Sequence, residues 1–516
     1  MKNPASQEHG AIRFHDIGDY LTREQKLTIT ARFGSVTGIG KAKGWTTLTP
    51  DEHADWLNQR DDSFDEFLAL GDKDKSGQGG LFANYSTGVQ TNRDVWVFNS
   101  SRGVVATNVQ SMISTFNAER KRFNLAYLSA DRATRTSKVD DFVLNDPQRI
   151  SWSSSLKTVL VRDKQLNFDD GALTKGLYRP YSPQWLYYQP DLIHRVGQMP
   201  RLFPVGQAGR QNLAIGLSAP GHISAFSAVM TDTVPELCVA AMKGGTQCFP
   251  RYLYEVADET GEDAPQGELL ARQPPGELTR RDAITDEGLR HFTDAYPGEA
   301  ITKDDVFYYV YGLLHSEEYR ERYADNLTKQ LPRIPLMKRV EDFRAFVAAG
   351  RRLGDLHVNF ETVEPFPVTV REGDLRLANI ADPVAYYRVE RMKFGGKRPN
   401  QDKTTVVYNP KITITGIPLE AYDYVVNGKP ALEWVMERQC VKTDPASGIV
   451  NDANRYAIET VGDPAYPFKL FCRIIAVSLE TMKIVRSLPA LDIREGASVV
   501  PPEATAAGVN SHERES

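Results

Sequence analysis

The chain has 516 residues, of which 41% are hydrophobic and 25% charged, and its formal net charge is −5. That length supports roughly two to four domains with sizeable cores, while the negative total excludes a protein that coats nucleic acid by bulk charge and leaves open a local basic face. No apolar run reaches the roughly 18 residues that cross a bilayer, and Met1 to Gly10 lack the apolar segment of a signal peptide, so the sequence predicts a cytoplasmic protein with no membrane partner.

In chain order, Thr22 with Gln25 three residues on predicts a capped helix within residues 19–27. Residues 34–44 read as a glycine-punctuated loop; Gly38-Ile39-Gly40-Lys41 lacks the spacing and the Lys-Ser/Thr of a phosphate loop. Residues 51–70 are acidic, and Trp56, Leu57, Phe64, Phe67 and Leu68 predict an amphipathic helix with a solvated carboxylate face. Residues 71–80 read as a polar linker, and a domain boundary is expected there. From Leu81 the pattern turns strand-like. Thr91, Asn92, Arg93 and Asp94 form a polar tight turn ahead of an alternating strand through Val95–Phe98. An ordinary turn explains these four residues, and so does an edge that presents amide, guanidinium and carboxylate to bases. Residues 119–138 predict a basic helix, with Arg120, Lys121 and Arg122 either solvated or in contact with phosphates.

Five aromatic residues, an arginine and two prolines crowd Tyr178-Arg179-Pro180-Tyr181-Ser182-Pro183-Gln184-Trp185-Leu186-Tyr187-Tyr188. The prolines hold this piece extended. Arg179 among rings suits contact with nucleic acid, whereas Trp185, Tyr187 and Tyr188 alternate like a strand and predict a core role. Residues 244–252 repeat the theme of a turn followed by an extended aromatic piece, and residues 255–277, rich in Pro, Gly and acids, predict an exposed insertion. Thr302 with Asp305 predicts a second capped helix with an apolar stripe at Val306, Tyr309, Val310 and Leu313, and Ser316 opens another carrying Tyr319, Tyr323 and Leu327. Residues 389–405 are the second basic stretch: Arg391, Lys393, Lys397, Arg398 and Lys403 surround Gly395-Gly396, with Glu390 and Asp402 at the margins. Strands are expected over 406–417, a helical tail from Pro418 to about Leu491, and disorder beyond Arg494.

Catalytic patterns are missing. Cys238, Cys248, Cys440 and Cys472 form no Cys-x-x-Cys, and no His-x-His or His-Glu-x-x-His occurs, so no metal is expected and the thiols are read as reduced. There is no Gly-x-Ser-x-Gly elbow. Adenine methylation needs an Asp/Asn-Pro-Pro-aromatic turn; Asn145-Asp146-Pro147 and Asp463-Pro464-Ala465-Tyr466 fall short of it, the second reading as the start of a helix.

Several segments together resemble the C-terminal part of type ISP restriction-modification enzymes. They are Ile12-Arg13-Phe14-His15-Asp16-Ile17-Gly18-Asp19-Tyr20, Thr91-Asn92-Arg93-Asp94, Arg179-Pro180-Tyr181, Trp185-Leu186-Tyr187-Tyr188 and Gln247-Cys248-Phe249-Pro250. Phe307-Tyr308-Tyr309-Val310-Tyr311-Gly312-Leu313-Leu314-His315-Ser316, Leu331-Pro332-Arg333-Ile334-Pro335, Thr413-Ile414-Thr415-Gly416-Ile417-Pro418 and Glu433-Trp434-Val435-Met436-Glu437-Arg438 continue the family's order. The resemblance covers about residues 11–492. Family members join a nuclease, an ATP-driven translocase, an adenine methyltransferase and a target recognition domain. Their S-adenosylmethionine loop, Walker motif and Pro-Pro turn are absent from this sequence.

The resemblance implies an α+β chain: a short remnant of an α/β methyltransferase domain over 1–80, a β-rich target recognition region over 81–260, a helical segment over 261–360, an α/β and helical part over 361–493, and a disordered tail over 494–516. It implies a specificity region for double-stranded DNA. Thr91, Asn92, Arg93, Asp94 and Arg179 would lie near the DNA, and Arg120, Lys121, Arg122, Arg391, Lys393, Lys397 and Arg398 would grip phosphates. No cofactor is expected in this chain; S-adenosylmethionine, ATP and Mg belong to the full-length family. The alternatives are a subunit completed by a separately encoded methyltransferase or translocase chain, and a truncated remnant without activity.

Overall fold

The computed structural model describes residues 10–18, 21–72, 79–206, 211–256, 278–373 and 380–494. The expected polar linker, the acidic insertion and the C-terminal tail lie largely or wholly outside these residues. The chain forms two compact units that meet in sequence at Phe64 and Asp65.

In the first unit, strand Ile12–Phe14 pairs antiparallel with Thr46–Leu48. Helix Arg23–Phe33 opens with the expected capping box: the Gln25 N–H donates to Thr22 Oγ1 and the Thr22 N–H to Gln25 Oε1. Residues 34–44 differ from expectation. Ser35 caps a six-residue helix, Val36–Lys41, whose two glycines the cap stabilises enough to wind. The acidic stretch is not the amphipathic helix its periodicity predicts. Asp51 folds back to accept the N–H groups of His53 and Asp55, and only a short 3-10 turn, Asp62–Glu66, forms. Aspartates that bond the local backbone compete with helix hydrogen bonds.

The second unit begins before the expected linker, because Leu68–Ala69 pairs antiparallel with Arg333–Ile334. It mixes helices with several small sheets. One sheet orders Val234–Pro235, Leu173–Arg179, Ser182–Tyr187 and Phe98–Asn99. Another orders Ser86–Thr87, Thr246–Pro250, Ala214–Ser218 and Ala228–Thr231. A third orders Thr369–Val370, Ile412–Thr415, Asn400–Asn409 and Lys393–Lys397. The region read as β-rich also holds the 25-residue helix Arg102–Ala126, followed by Arg132–Phe142 and Ser154–Val161. Residues 418–491 are not one helical tail: helix Ala431–Arg438, the hairpin Val441–Thr443/Val450–Asp452 and helix Tyr466–Arg486 alternate. The last of these starts at the Asp463-Pro464-Ala465-Tyr466 turn, as expected.

Two packing devices fix the frame. Helices Lys303–Leu313 and Val340–Val358 cross at Gly312 and Gly350, where an added Cβ would stand 2.3 Å from the Phe346 carbonyl and 1.9 Å from the Tyr308 carbonyl. Only glycine lets the backbones approach so closely. The aromatic ribbon of residues 178–188 is a hairpin whose turn drives Tyr181 (φ 55°) into the C-terminal core, its hydroxyl 2.9 Å from that of Tyr424. Tyr187 and Tyr188 are buried as the alternation predicts, and Trp185 is half-buried, its Nε1–H donating to Thr460 Oγ1. Tyr309, Tyr319 and Tyr323 are likewise buried in the core. No described helix is long and apolar enough to cross a membrane.

Candidate nucleic-acid interface

A cleft of about 850 Å³ lies within the second unit. The short helix Asp94–Val97, strand Phe98–Asn99 and the aromatic hairpin contribute Asp94, Val95, Phe98, Asn99, Tyr178 and Gln184. Three elements later in the chain complete the cleft. The Lys393–Lys397/Asn400–Asn409 hairpin supplies Lys393, Phe394, Arg398 and Gln401, helix Ala431–Arg438 supplies Met436, Glu437 and Arg438, and the following hairpin supplies Lys442 and Asn451. The first of these hairpins kinks at a register shift between Phe394 and Gly395. Gly396 there has φ 71°, and a Cβ would meet the Asn400 carbonyl at 2.8 Å, so the glycine pair is a geometric requirement of the bend.

Six cationic side chains and five carboxylates line the cleft, so its sign depends on which are already paired. Glu437 takes both Lys429 and Arg438; Glu433 pairs with Lys403 at 3.0 Å and Glu390 with Arg388 at 2.8 Å. Asp444 accepts the backbone N–H and the hydroxyl of Ser447. Asp94 accepts Thr91 Oγ1–H and, at 3.4 Å, the Tyr178 hydroxyl. Arg391, Lys393, Arg398 and Lys442, with Lys397 beside them on the hairpin, are exposed and make no ion pair among the described residues. The cleft therefore carries a set of uncommitted positive charges.

The structure brings only part of the predicted set to this place. Arg391, Lys393 and Arg398 line the cleft, Lys397 adjoins it, and Asp94 lines it as well. Of the Thr91–Asp94 turn, Thr91 is buried and its hydroxyl also accepts the Arg93 N–H, while Asn92 is exposed with φ 53° and its Oδ1 accepts from the Gln90 amide. The turn runs into a helical turn rather than a strand because Asp94 opens it with its own carboxylate held by Thr91. Arg93 is 3% exposed and donates to the Leu192 carbonyl and to Ser153 Oγ; burial pushes its guanidinium down to about 10. Arg179 is also internal, ion-paired with Glu236 beneath the Tyr178 ring. Burial pushes the Glu236 carboxyl up to about 7, and the Arg179 guanidinium opposes that shift. Arg120 pairs with Asp163, and Arg122 with the buried Glu119 and the Phe142 carbonyl; Lys121 is exposed on the same helix.

Sequence reading missed Gln184, Gln401, Lys429, Arg438, Lys442 and Asn451 as cleft residues. Lys429, Arg438 and Lys442 are interspersed with Glu433, Glu437 and Asp444 along the chain, so no basic run marks them. The charge imbalance appears only after the carboxylates are assigned their partners.

The model of a family described as the Type ISP C-terminal specificity domain matches residues 80–470. The chain is similar to a nuclease-deletion mutant of the Type ISP restriction-modification enzyme LlaGI in complex with a DNA substrate mimic, at 34% identity and TM-score 0.77, over 95% of this chain and 40% of that one. It is similar to the ATP-dependent Type ISP restriction-modification enzyme LlaBIII bound to DNA, at 32% identity and TM-score 0.76, over 94% and 28% of the two chains. It also matches a DrdV–DNA complex at 27% identity and TM-score 0.72, over 93% and 43%. The chain thus spans less than half the length of each. No curated protein sequence matches it.

Proposed function

Because the chain belongs to the Type ISP C-terminal specificity domain family, we propose that it recognises a specific sequence in double-stranded DNA across this cleft. The observation that carries the reading is the set of unpaired cations at the cleft, Arg391, Lys393, Arg398 and Lys442 with Lys397 beside them, in company with polar groups that line the same cleft. Cations without protein partners exchange their water and counterions for phosphates at low cost. Phosphate contacts fix register, and the amide and carboxylate groups that also line the cleft are the type that discriminate base edges. The bound structures of LlaGI, LlaBIII and DrdV support the same ligand.

In a longer assembly, recognition by this chain directs adenine methylation and restriction, and S-adenosylmethionine, ATP and Mg serve that assembly's other parts. A separately encoded methyltransferase or translocase chain is the alternative source of those activities. Titration of the 516-residue chain with mixed duplex DNA at graded salt tests the reading. Affinity should fall steeply with salt and rise for a subset of sequences; no binding at low salt by a well-folded chain refutes it. With labelled S-adenosylmethionine and mixed duplex DNA, the chain alone should transfer no methyl groups.

A further inference from the structure

Among the described cleft residues, two buried side-chain atoms lack a hydrogen-bond partner, Arg438 Nε and Gln184 Oε1, and only Gln184 is a neutral amide left without any partner. Gln184, on strand Ser182–Tyr187, is 5% exposed, and its Oε1 is buried without a donor. No hydrogen bond to its amide forms among the described residues. The neighbouring cleft amides are spent internally. Asn99 donates to the Val450 carbonyl and accepts from the Ser101 N–H, both at 3.0 Å, and Asn451 accepts from the Ser100 N–H. The Tyr178 hydroxyl is turned toward Asp94. An unsatisfied buried polar group costs about 1–3 kcal/mol, so a fold that leaves one at a ligand cleft places it where a ligand can complete it.

We propose that Gln184 reads the edge of one adenine of the target. Its Oε1 accepts from the adenine N6 amine and its Nε2 donates to N7, the bidentate match an amide makes in the major groove. Guanine offers acceptors at both O6 and N7 and leaves Oε1 facing a lone pair; cytosine and thymine each offer a single hydrogen-bonding group there. The inference rests on the DNA-recognition reading above. The row of unpaired cations holds the backbone while the buried amide, shielded from competing water, discriminates.

Selection of bound duplexes from a randomised pool by the 516-residue chain tests the assignment. The unaltered chain should enrich adenine at one position. Gln184→Leu should lower that preference by about tenfold or more while leaving the other positions unchanged, the range a bidentate contact supplies. Gln184→Glu should move the preference toward cytosine, whose N4 amine can donate to the carboxylate. A measurement that needs no variant is the replacement of the selected adenine by 7-deazaadenine, which removes the N7 acceptor and should weaken binding by several-fold or more. Gln184→Leu that melts normally and keeps full adenine preference overturns the assignment alone. So does an even loss of affinity at all positions with lowered melting, which marks an amide with a structural role. Failure of the unaltered chain to bind any DNA overturns the recognition reading, and the assignment with it.

Discussion

The two basic stretches, 120–122 and 391–398, look alike in sequence and differ in what the fold does with their charge. On the long helix Arg102–Ala126, Arg120 reaches Asp163 and Arg122 reaches Glu119 and the end of the neighbouring helix, so both guanidiniums fasten helices together. On the hairpin, Arg391, Lys393, Lys397 and Arg398 have no carboxylate to hold and stand beside a cleft. A run of cations therefore marks a binding face only after its local acids are subtracted. The helix has Glu119 one residue away, whereas the hairpin's nearest acids, Glu390 and Asp402, are bound elsewhere: Glu390 to Arg388, and Asp402 to the Thr404 N–H and hydroxyl.

Arg179 gives the largest expected effect on the internal side of this comparison. Its side chain and that of Glu236 are 8% and 6% exposed, and removing one partner of a buried pair strands the other. Arg179→Met should cost on the order of 3 kcal/mol of stability in denaturant melts at pH 8. The loss should shrink in acid. Glu236 already has a folded pKa of about 7, above its ordinary 4.5, and loses the guanidinium that held it down. A carboxyl that binds its proton more tightly when folded loses stability as pH rises from 4.5 through the folded pKa, so the variant should recover between pH 8 and pH 5. A pH-independent loss would assign the effect to packing instead.

On the hairpin side, Arg391→Glu with Lys393→Glu should leave melting nearly unchanged and weaken duplex binding by about a hundredfold at low salt, with the salt slope flattened by about two. Unchanged slopes would remove these residues from the interface and leave the two stretches equivalent.

What the sequence revealed follows from range. Capping boxes at Thr22 and Thr302 and the tyrosine stripe of residues 309–323 depend on neighbours three or four positions away, and they form as read. The cleft depends on groups far apart in sequence: Asp94 and Gln184 line it together with Arg438 and Lys442. Nothing local tells that Arg93 turns inward to Leu192 and Ser153, or that Tyr181 enters a core built from residues beyond 350. The glycine pair at 395–396 was legible as an interruption of a basic run. That it marks a register shift in a hairpin follows only from the strand pairing. The acidic stretch escapes a periodicity reading because Asp51 bonds the local backbone, a competition that the helical spacing of apolar residues does not register.

Arg122→Gln sharpens the comparison at smaller scale. Glu119 is buried and accepts Nε–H and N–H groups of Arg122 at 3.0 and 2.6 Å, but Arg122 itself is 43% exposed, so solvent screens much of the pair. The expected cost is about 1 kcal/mol in denaturant melts, with DNA affinity changed less than about twofold, since a neutral amide can still donate one hydrogen bond to Glu119.

Lys121 is the exception inside the helical stretch and gives the smallest expected effect. It is exposed and makes no ion pair among the described residues, so on charge alone it resembles the hairpin cations more than its neighbours. Position separates them: it does not line the cleft, while the hairpin residues line or adjoin it. If recognition occurs at the cleft, Lys121→Glu should shift stability by less than about 0.5 kcal/mol, the usual range for a surface substitution. Duplex affinity should then change only through the long-range field, and that change should vanish near physiological salt, where the screening length is about 8 Å. Loss of affinity at that salt comparable to the hairpin charge swap would mean that the long helix also meets phosphates. Charge left unpaired by the fold, rather than its place beside the cleft, would then be what marks the DNA-facing surface.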